Sequence, residues 1–194
     1  MRRLLLEVYN AFVSPIPIGV GRRFKIHFLR LCGVRMGKSC LLYPHVTIRG
    51  AGKLSIGNHV VLKSGVVIEC GEQGEVTIGD EVEINHGTLI AANGISRITI
   101  GDHVEIAHFV SLKGSTHVVD PNGPCIAGKS QYKDISIGSG SWLCTGCVVL
   151  PGIRVGMKNV IAAGAVIIGD TPDYALMCGV PGVMKKQYRV GTSG

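Results

Sequence analysis

The sequence predicts a mainly-β protein: a parallel β-helix of about six coils, three short strands to a coil, with a short helical N-terminal cap and an irregular basic C-terminal tail. Three observations predict it. An apolar residue followed at once by glycine occurs at Met36, Ile56, Ile78, Ile100, Ile137 and Val155, with Gly37, Gly57, Gly79, Gly101, Gly138 and Gly156 behind them. Apolar residues recur six positions on, at Leu42, Leu62, Ile84, Ile106, Leu143 and Ile161, and twelve on, at Ile48, Ile68, Ile90, Leu112, Val149 and Ile167. Every one of these slots is apolar although only 46% of the chain is hydrophobic, and 28 glycines suit a chain that turns a corner every six residues.

The N-terminal segment, residues 1–33, reads as helix broken at SPIPIG by Pro15 and Pro17. Its second piece, RRFKIHFLRLCG, is basic and partly amphipathic. It reads as a cap over the open first coil, because a solenoid end must be covered. The same composition also suits an anionic membrane surface, which leaves peripheral contact with the inner face of a membrane as the second reading. The opening MRRLLLEVYNAFV carries Glu7 within its apolar stretch and has no small-residue cleavage site, so it makes a poor signal peptide.

The coils run over residues 34–168. Successive coil starts are 20, 22, 22, 37 and 18 residues apart, whereas three six-residue sides need 18. The small surpluses are bulged corners such as CGEQGE and ANGISR. The large one is an excursion at about 115–134, STHVVDPNGPCIAGKSQYKD, whose DPNG at Asp120–Gly123 signals an ordered turn. The tail, 169–194, leaves the prism at Pro172, passes through GVPG and ends basic with Lys185, Lys186 and Arg189.

Composition narrows the function. A length of 194 residues fits one domain, and a formal charge of +7 points to an anionic partner. Only ten residues are aromatic and no basic run is interleaved with them, which argues against nucleic acid. Seven irregularly spaced cysteines argue against a disulfide framework and for the cytoplasm. Cys144 and Cys147 form a lone CxxC, without the second pair that a zinc site needs, and no metal is expected.

Three stretches carry a specific likeness: IGDHVEIAHFVSLKGSTHVVD, SGSWLCTGCVVLPGIRVGMKNVIAAGAVI, and the GVP-type tail. Across about residues 54–186 the chain resembles the hexapeptide-repeat acyltransferases, specifically the maltose and galactoside O-acetyltransferase-like branch. The resemblance implies a left-handed helix, a homotrimer, acetyl-CoA as co-substrate in clefts between subunits, and a saccharide acceptor such as a surface-polysaccharide precursor. His117 matches the family's catalytic histidine. Imidazole is suited to take the proton of a hydroxyl attacking a thioester near neutral pH. Asn85 matches an acceptor-site asparagine, although it equally suits a corner turn. Thr145 and Ala163 match positions that bind the pantetheine arm. Trp142, the single tryptophan, stands outward before them, as a cleft wall or as a surface aromatic. After GVPG the chain has Val183 where the family often has alanine and then a basic residue, so Lys185 and Lys186 supply any contact to the CoA phosphates.

Other readings compete. An amino group or another small hydroxyl compound could replace the saccharide hydroxyl as acceptor. A γ-class carbonic anhydrase is suggested by the H-x4-H spacing of His103 and His108, but alignment puts Lys113 where that family needs a second histidine, and a cationic lysine is no zinc ligand. A non-catalytic scaffold would leave the loop histidine and the basic tail without a role. Cys125 in the excursion could serve as an acyl carrier, but no basic neighbour is evident to activate it, so direct transfer is preferred. Coil counting places Asn85, Thr145 and Ala163 on the second side of the prism and His117 at the third corner, which makes the site one shared between subunits.

Overall fold

The structure is a computed structural model that describes residues 1–50, 52–123 and 126–188, with the side chains of Ile126 and Ala127 left aside. Cys125 and Arg189 lie outside the described residues. The chain winds into a three-faced parallel prism. Its first face has six strands, from Arg35–Met36 to Arg154–Val155. The second has eight, from Leu41–Leu42 to Val183–Gln187, and the third six, from Thr47–Arg49 to Val166–Ile167. Partners are in register from coil to coil: Ile56 pairs with Ile78, Ile84 with Ile106, and Leu112 with Val149.

All eighteen repeat slots point inward, and none is more than 9% exposed. Burying each such side chain stabilises the fold by roughly 1.5–3 kcal/mol. The residue two positions before each slot is also inward, as strand alternation requires. Most of these residues are small, and in the later coils some are polar: Ser141 and Asn159 are 0–1% exposed. Each finds a partner. The Ser141 hydroxyl donates to the Gly156 carbonyl (3.0 Å) and Asn159 Nδ2 donates to Thr171 Oγ1 (2.5 Å).

The glycine after each first slot has a steric cause. A Cβ at Gly37 would lie 2.4 Å from the Gly57 carbonyl oxygen, and one at Gly138 would lie 2.5 Å from the Met157 nitrogen. The next residue joins a ladder up that corner: the backbone N–H of Lys38, Asn58 and Asp80 donates to the side chain of Asn58, Asp80 and Asp102 in turn, at 2.7–2.9 Å. The Asn58 N–H, and after it the Asn58 side-chain amide at 3.1–3.2 Å, hold the Asp80 carboxyl below its ordinary range. The following residue, such as His59 or His103, turns the corner at φ near +56°.

The N-terminal cap consists of α1 (Arg2–Val8), a π-helical turn (Tyr9–Val13) and α2 (Ile18–Leu31). Leu6, Tyr9, Val13 and Leu29 bury against the first coil. In the second coil the carbonyls of Ile56, Val60, Leu62 and Val66 accept N–H groups from the coil below. The equivalent first-coil carbonyls have no coil below, and cap side chains replace it. Arg30 Nη2 reaches Met36 O (2.9 Å), Arg22 Nε reaches Cys40 O (3.2 Å), Lys25 Nζ reaches Leu42 O (3.4 Å), Ser14 Oγ reaches Val46 O (2.6 Å), and Asn10 Nδ2 reaches Ile48 O (2.8 Å). The open edge is thereby satisfied on all three faces. No helix of the described residues is long and apolar enough to cross a membrane.

The tail differs from the irregular segment expected. The prism does not end at residue 168, nor at Pro172. Thr171 occupies the first-face position of a seventh coil, 1% exposed, with Tyr174 turning the corner at φ +59°. Ala175–Cys178 then pairs in parallel with Val160–Ile161, and Val183–Gln187 folds back antiparallel onto it. The repeat is hidden in the sequence because its first slot is polar and lacks the following glycine. The hydroxyl of Thr171 is nonetheless satisfied inside the prism, accepting from Gly156 N (3.1 Å) and Asn159 Nδ2.

Candidate active site

The second face carries three of the residues singled out from the sequence: Trp142, Lys185 and Lys186. Trp142 stands outward on it, 47% exposed, between Glu105 of the coil before and Val160 of the coil after. Val160 pairs in turn with Leu176, and Leu176 with Lys186. One row across the sheet therefore reads Trp142, Val160, Leu176, Lys186: an aromatic wall, two apolar steps and a cation. Lys185 lies at the irregularity in the last strand pairing, where Leu176 faces Lys186 and Met177 faces Met184. Lys186 Nζ sits 5.1 Å from the centre of the Tyr188 ring.

Thr145 and Ala163, which coil counting assigns to the second side of the prism, lie just beyond its strands. They occupy the turn that ends that face, on adjacent coils, joined by the Gly164 N–H donating to the Thr145 carbonyl (2.9 Å). Asn85 begins the same corner two coils before Thr145. Its Nδ2 donates to Ile106 O (3.2 Å), while its Oδ1 accepts no bond among the described residues. The third residue of this corner is in the left-handed region in each of the first six coils, with glycine at 65, 87, 146 and 164 but His45 and Phe109 in two of them (φ +62° and +57°). Phe109 packs edge-on against His86, with ring centres 5.5 Å apart. The corner is consequently a stiff backbone ledge beside the Trp142 row.

His117 is placed elsewhere. The excursion is an ordered β-hairpin, Ser115–Val119 against Ile126–Tyr132, and it leaves the prism at the third corner. Its base is clamped: Lys133 N donates to Gly114 O (3.0 Å), Asn93 Nδ2 donates to Ser115 Oγ (3.0 Å), and Arg97 grips Asp134 with Nε and Nη2 at 3.1 and 3.0 Å. His117 is exposed, pairs with Ser130, and precedes an irregularity in the hairpin ladder. Such irregularities re-aim side chains. The Asp120 carboxylate accepts the Asn122 N–H (2.9 Å), the local bond of a turn. The third face lies between His117 and the Asn85–Thr145–Ala163 corner.

The histidine pair that suggested zinc is divided between successive corners. His103 lies at the first, 3.3 Å from Glu81, and His108 at the second, beside Phe109. Cys144 lies in the second corner, while Cys147 points into the core and is fully buried. Burial pushes both thiols up, Cys147 to about 12. Sequence reading missed Val160 and Leu176 as the floor between Trp142 and Lys186. Strand parity marks Val160 as outward, but Leu176 belongs to the coil that Thr171 conceals.

No family model matches the chain. A galactoside O-acetyltransferase of Lactococcus lactis subsp. lactis is 35% identical over 78 residues, a stretch that is 40% of this chain and 37% of that protein. The chain is similar to the hexapeptide-repeat acyltransferases. A hexapeptide-repeat acetyltransferase of Vibrio cholerae, VCA0836, solved with acetyl-CoA, aligns over 97% of this chain and 88% of its own, with a TM-score of 0.60 and 19% identity. AntD, an N-acyltransferase of Bacillus cereus solved with dTDP and coenzyme A, aligns over 84% and 89%, with a TM-score of 0.72 and 19% identity. At those identities the likeness is one of fold, and the fold is that of the left-handed hexapeptide-repeat β-helices.

Proposed function

We propose that the protein transfers an acetyl group from acetyl-CoA to a hydroxyl of a saccharide, at a site shared between two copies of the chain in a homotrimer. The observation that carries this reading is the separation of His117 from the second-face row. A six-residue side spans roughly 20 Å at strand rise, whereas proton transfer needs hydrogen-bond distance. A neighbouring copy that brings its third corner against this second face meets both requirements.

In this reading the CoA arm lies along the ledge of Thr145 and Ala163, held largely by backbone groups, with Trp142 as a wall. Lys185 and Lys186 receive the phosphates at the far end of the row. The His117 imidazole of the neighbour takes the acceptor hydroxyl proton as the oxygen attacks the thioester carbonyl. The second amide hydrogen of Asn85 is free to stabilise the oxyanion of the tetrahedral intermediate. Collapse breaks the C–S bond, and the imidazolium returns its proton to the departing thiolate, leaving an ester and free CoA.

The sequence likeness to a galactoside O-acetyltransferase favours oxygen as the nucleophile. The fold shared with AntD, an N-acyltransferase, makes transfer to an amino sugar the second reading. A panel of saccharides and nucleotide sugars, assayed for CoA thiol release, tests both. Saccharide-dependent release with a hydroxylamine-labile product is the expected result. A hydroxylamine-stable product would establish amide formation, and no saccharide-dependent release would overturn the proposal.

A further inference from the structure

We infer that the outer surface of the N-terminal cap is a docking surface for an anionic lipid bilayer. Charge points to it first. Residues 1–38 hold eight Lys and Arg against one acidic residue, Glu7, whereas residues 39–194 hold twelve of each. The whole formal charge of +7 therefore resides at one end of the chain. Over residues 39–194, Lys185 and Lys186 included, positive and negative charges balance.

The cap helices are apolar on two sides. Their inner sides cover the first coil through Leu6, Tyr9, Val13 and Leu29. Their outer sides carry a second stripe at helical spacing: Leu4, Val8 and Phe12, then Val20, Phe24 and Leu31. Phe12 is 75% exposed and Val20 is 87% exposed. Both helices cover the same end of the prism, so both outer stripes face away from it. Capping the coil accounts for the inner sides and leaves the outer ones unexplained.

A cavity of about 720 Å³ opens between α2 and the first corner of the prism. Arg22, Arg23, His27, Arg30 and Lys38 line it, and no carboxylate does. Arg22 gives Nε to the Cys40 carbonyl and Arg30 gives Nη2 to the Met36 and Gly37 carbonyls, which holds both guanidinium groups at the cavity while each keeps further N–H donors. Fixed guanidinium donors beside lysine suit a phosphate.

Cations and exposed aliphatic stripes on one surface select a lipid interface. Apolar side chains enter the headgroup boundary while the cations meet lipid phosphates. A nucleic acid would satisfy the cations but leave Leu4, Val20 and Leu31 uncovered. A second copy of the cap would cover the stripes but would bring two such charged ends together. A free anion would fill only the cavity.

Co-sedimentation of the full chain with phosphatidylcholine vesicles, with and without phosphatidylglycerol, tests the inference. We expect pelleting with the anionic vesicles, weakened by salt, and little with the neutral ones. Arg23→Gln combined with Lys38→Gln should weaken partitioning by about 25-fold, since each basic side chain near an anionic surface contributes roughly fivefold. Phe12→Ser combined with Val20→Ser should weaken it by on the order of tenfold. All four side chains are exposed and bond to none of the first-coil carbonyls, so both variants should keep the wild-type circular dichroism and melting temperature. Wild-type pelleting by both variants, or no pelleting at low salt, would overturn the inference. So would loss of pelleting in inorganic phosphate at matched ionic strength, which would make a free anion the ligand. Vesicle-free self-association that the Phe12→Ser and Val20→Ser variant abolishes would make a second copy the occupant.

Discussion

The side-chain amide of Asn10 binds both backbone groups of Ile48: Nδ2 lies 2.8 Å from the carbonyl oxygen, and the Ile48 nitrogen lies 3.0 Å from Oδ1. One side chain thus takes the place of a β-strand partner at the open edge of the third face. Arg30, Arg22, Lys25 and Ser14 act likewise on the other exposed carbonyls.

Asn10→Ala should accordingly destabilise the fold by about 2 kcal/mol, since two partly buried backbone groups lose their bonds at about 1 kcal/mol each. Denaturant unfolding gives the value. A loss of only a few tenths of a kcal/mol would mean that water replaces the amide at no cost and that the edge does not depend on the cap.

Buried thiols set the alkaline behaviour. The Cys147 thiol is pushed up by burial from 9.0 to about 12, and Cys70 moves in the same direction, to about 11. In the folded state these thiols stay protonated where the unfolded ones ionise. Their contribution is complete below about pH 9 and is lost as pH rises towards about 12. Cys147→Ala removes one such proton, so the fall of stability with pH across that range should become shallower by about 1.4 kcal/mol per pH unit. Lys25, whose buried ammonium is pushed down, works in the opposite direction and is common to both proteins. Parallel stability curves for the two proteins from pH 9 upwards would contradict the assignment.

Lys185 and Lys186 terminate the second-face row. Changing both to Gln should weaken acetyl-CoA binding by on the order of tenfold at low salt and much less at 1 M salt, where screening shortens the range of charge to about 3 Å. Calorimetric titration at the two ionic strengths separates the outcomes. Equal affinity of the variant and the wild type at low salt would assign the lysines another purpose.

The prism was legible because its period is written twice, in the eighteen inward slots and in the glycines that let one coil lie against the next. The seventh coil was not. Thr171 is polar and lies 16 residues after Val155, and only the structure pairs its hydroxyl with Asn159. Coil counting assigns Thr145 and Ala163 to the second side of the prism but does not say whether they lie on its strand or in the turn after it, because a period gives spacing but not the bend within each repeat. It puts His117 at the third corner, where the hairpin leaves the prism, but that hairpin pairs residues within the excursion, outside any repeat. The second role inferred for the cap rests on the outer faces of its helices, which become separable from the inner ones only when the first coil is in place.

The most direct test of the shared site is recovery of activity in mixed trimers. His117→Ala alone should lower turnover by roughly 100-fold or more with acetyl-CoA affinity nearly intact, and Asn85→Ala should also be inactive. Co-refolding the two inactive variants gives trimers in which some interfaces carry both native residues. The account predicts that saccharide-dependent CoA release returns in part. Continued inactivity in trimers shown by mass spectrometry to be mixed would mean that His117 serves its own chain, and would contradict the account.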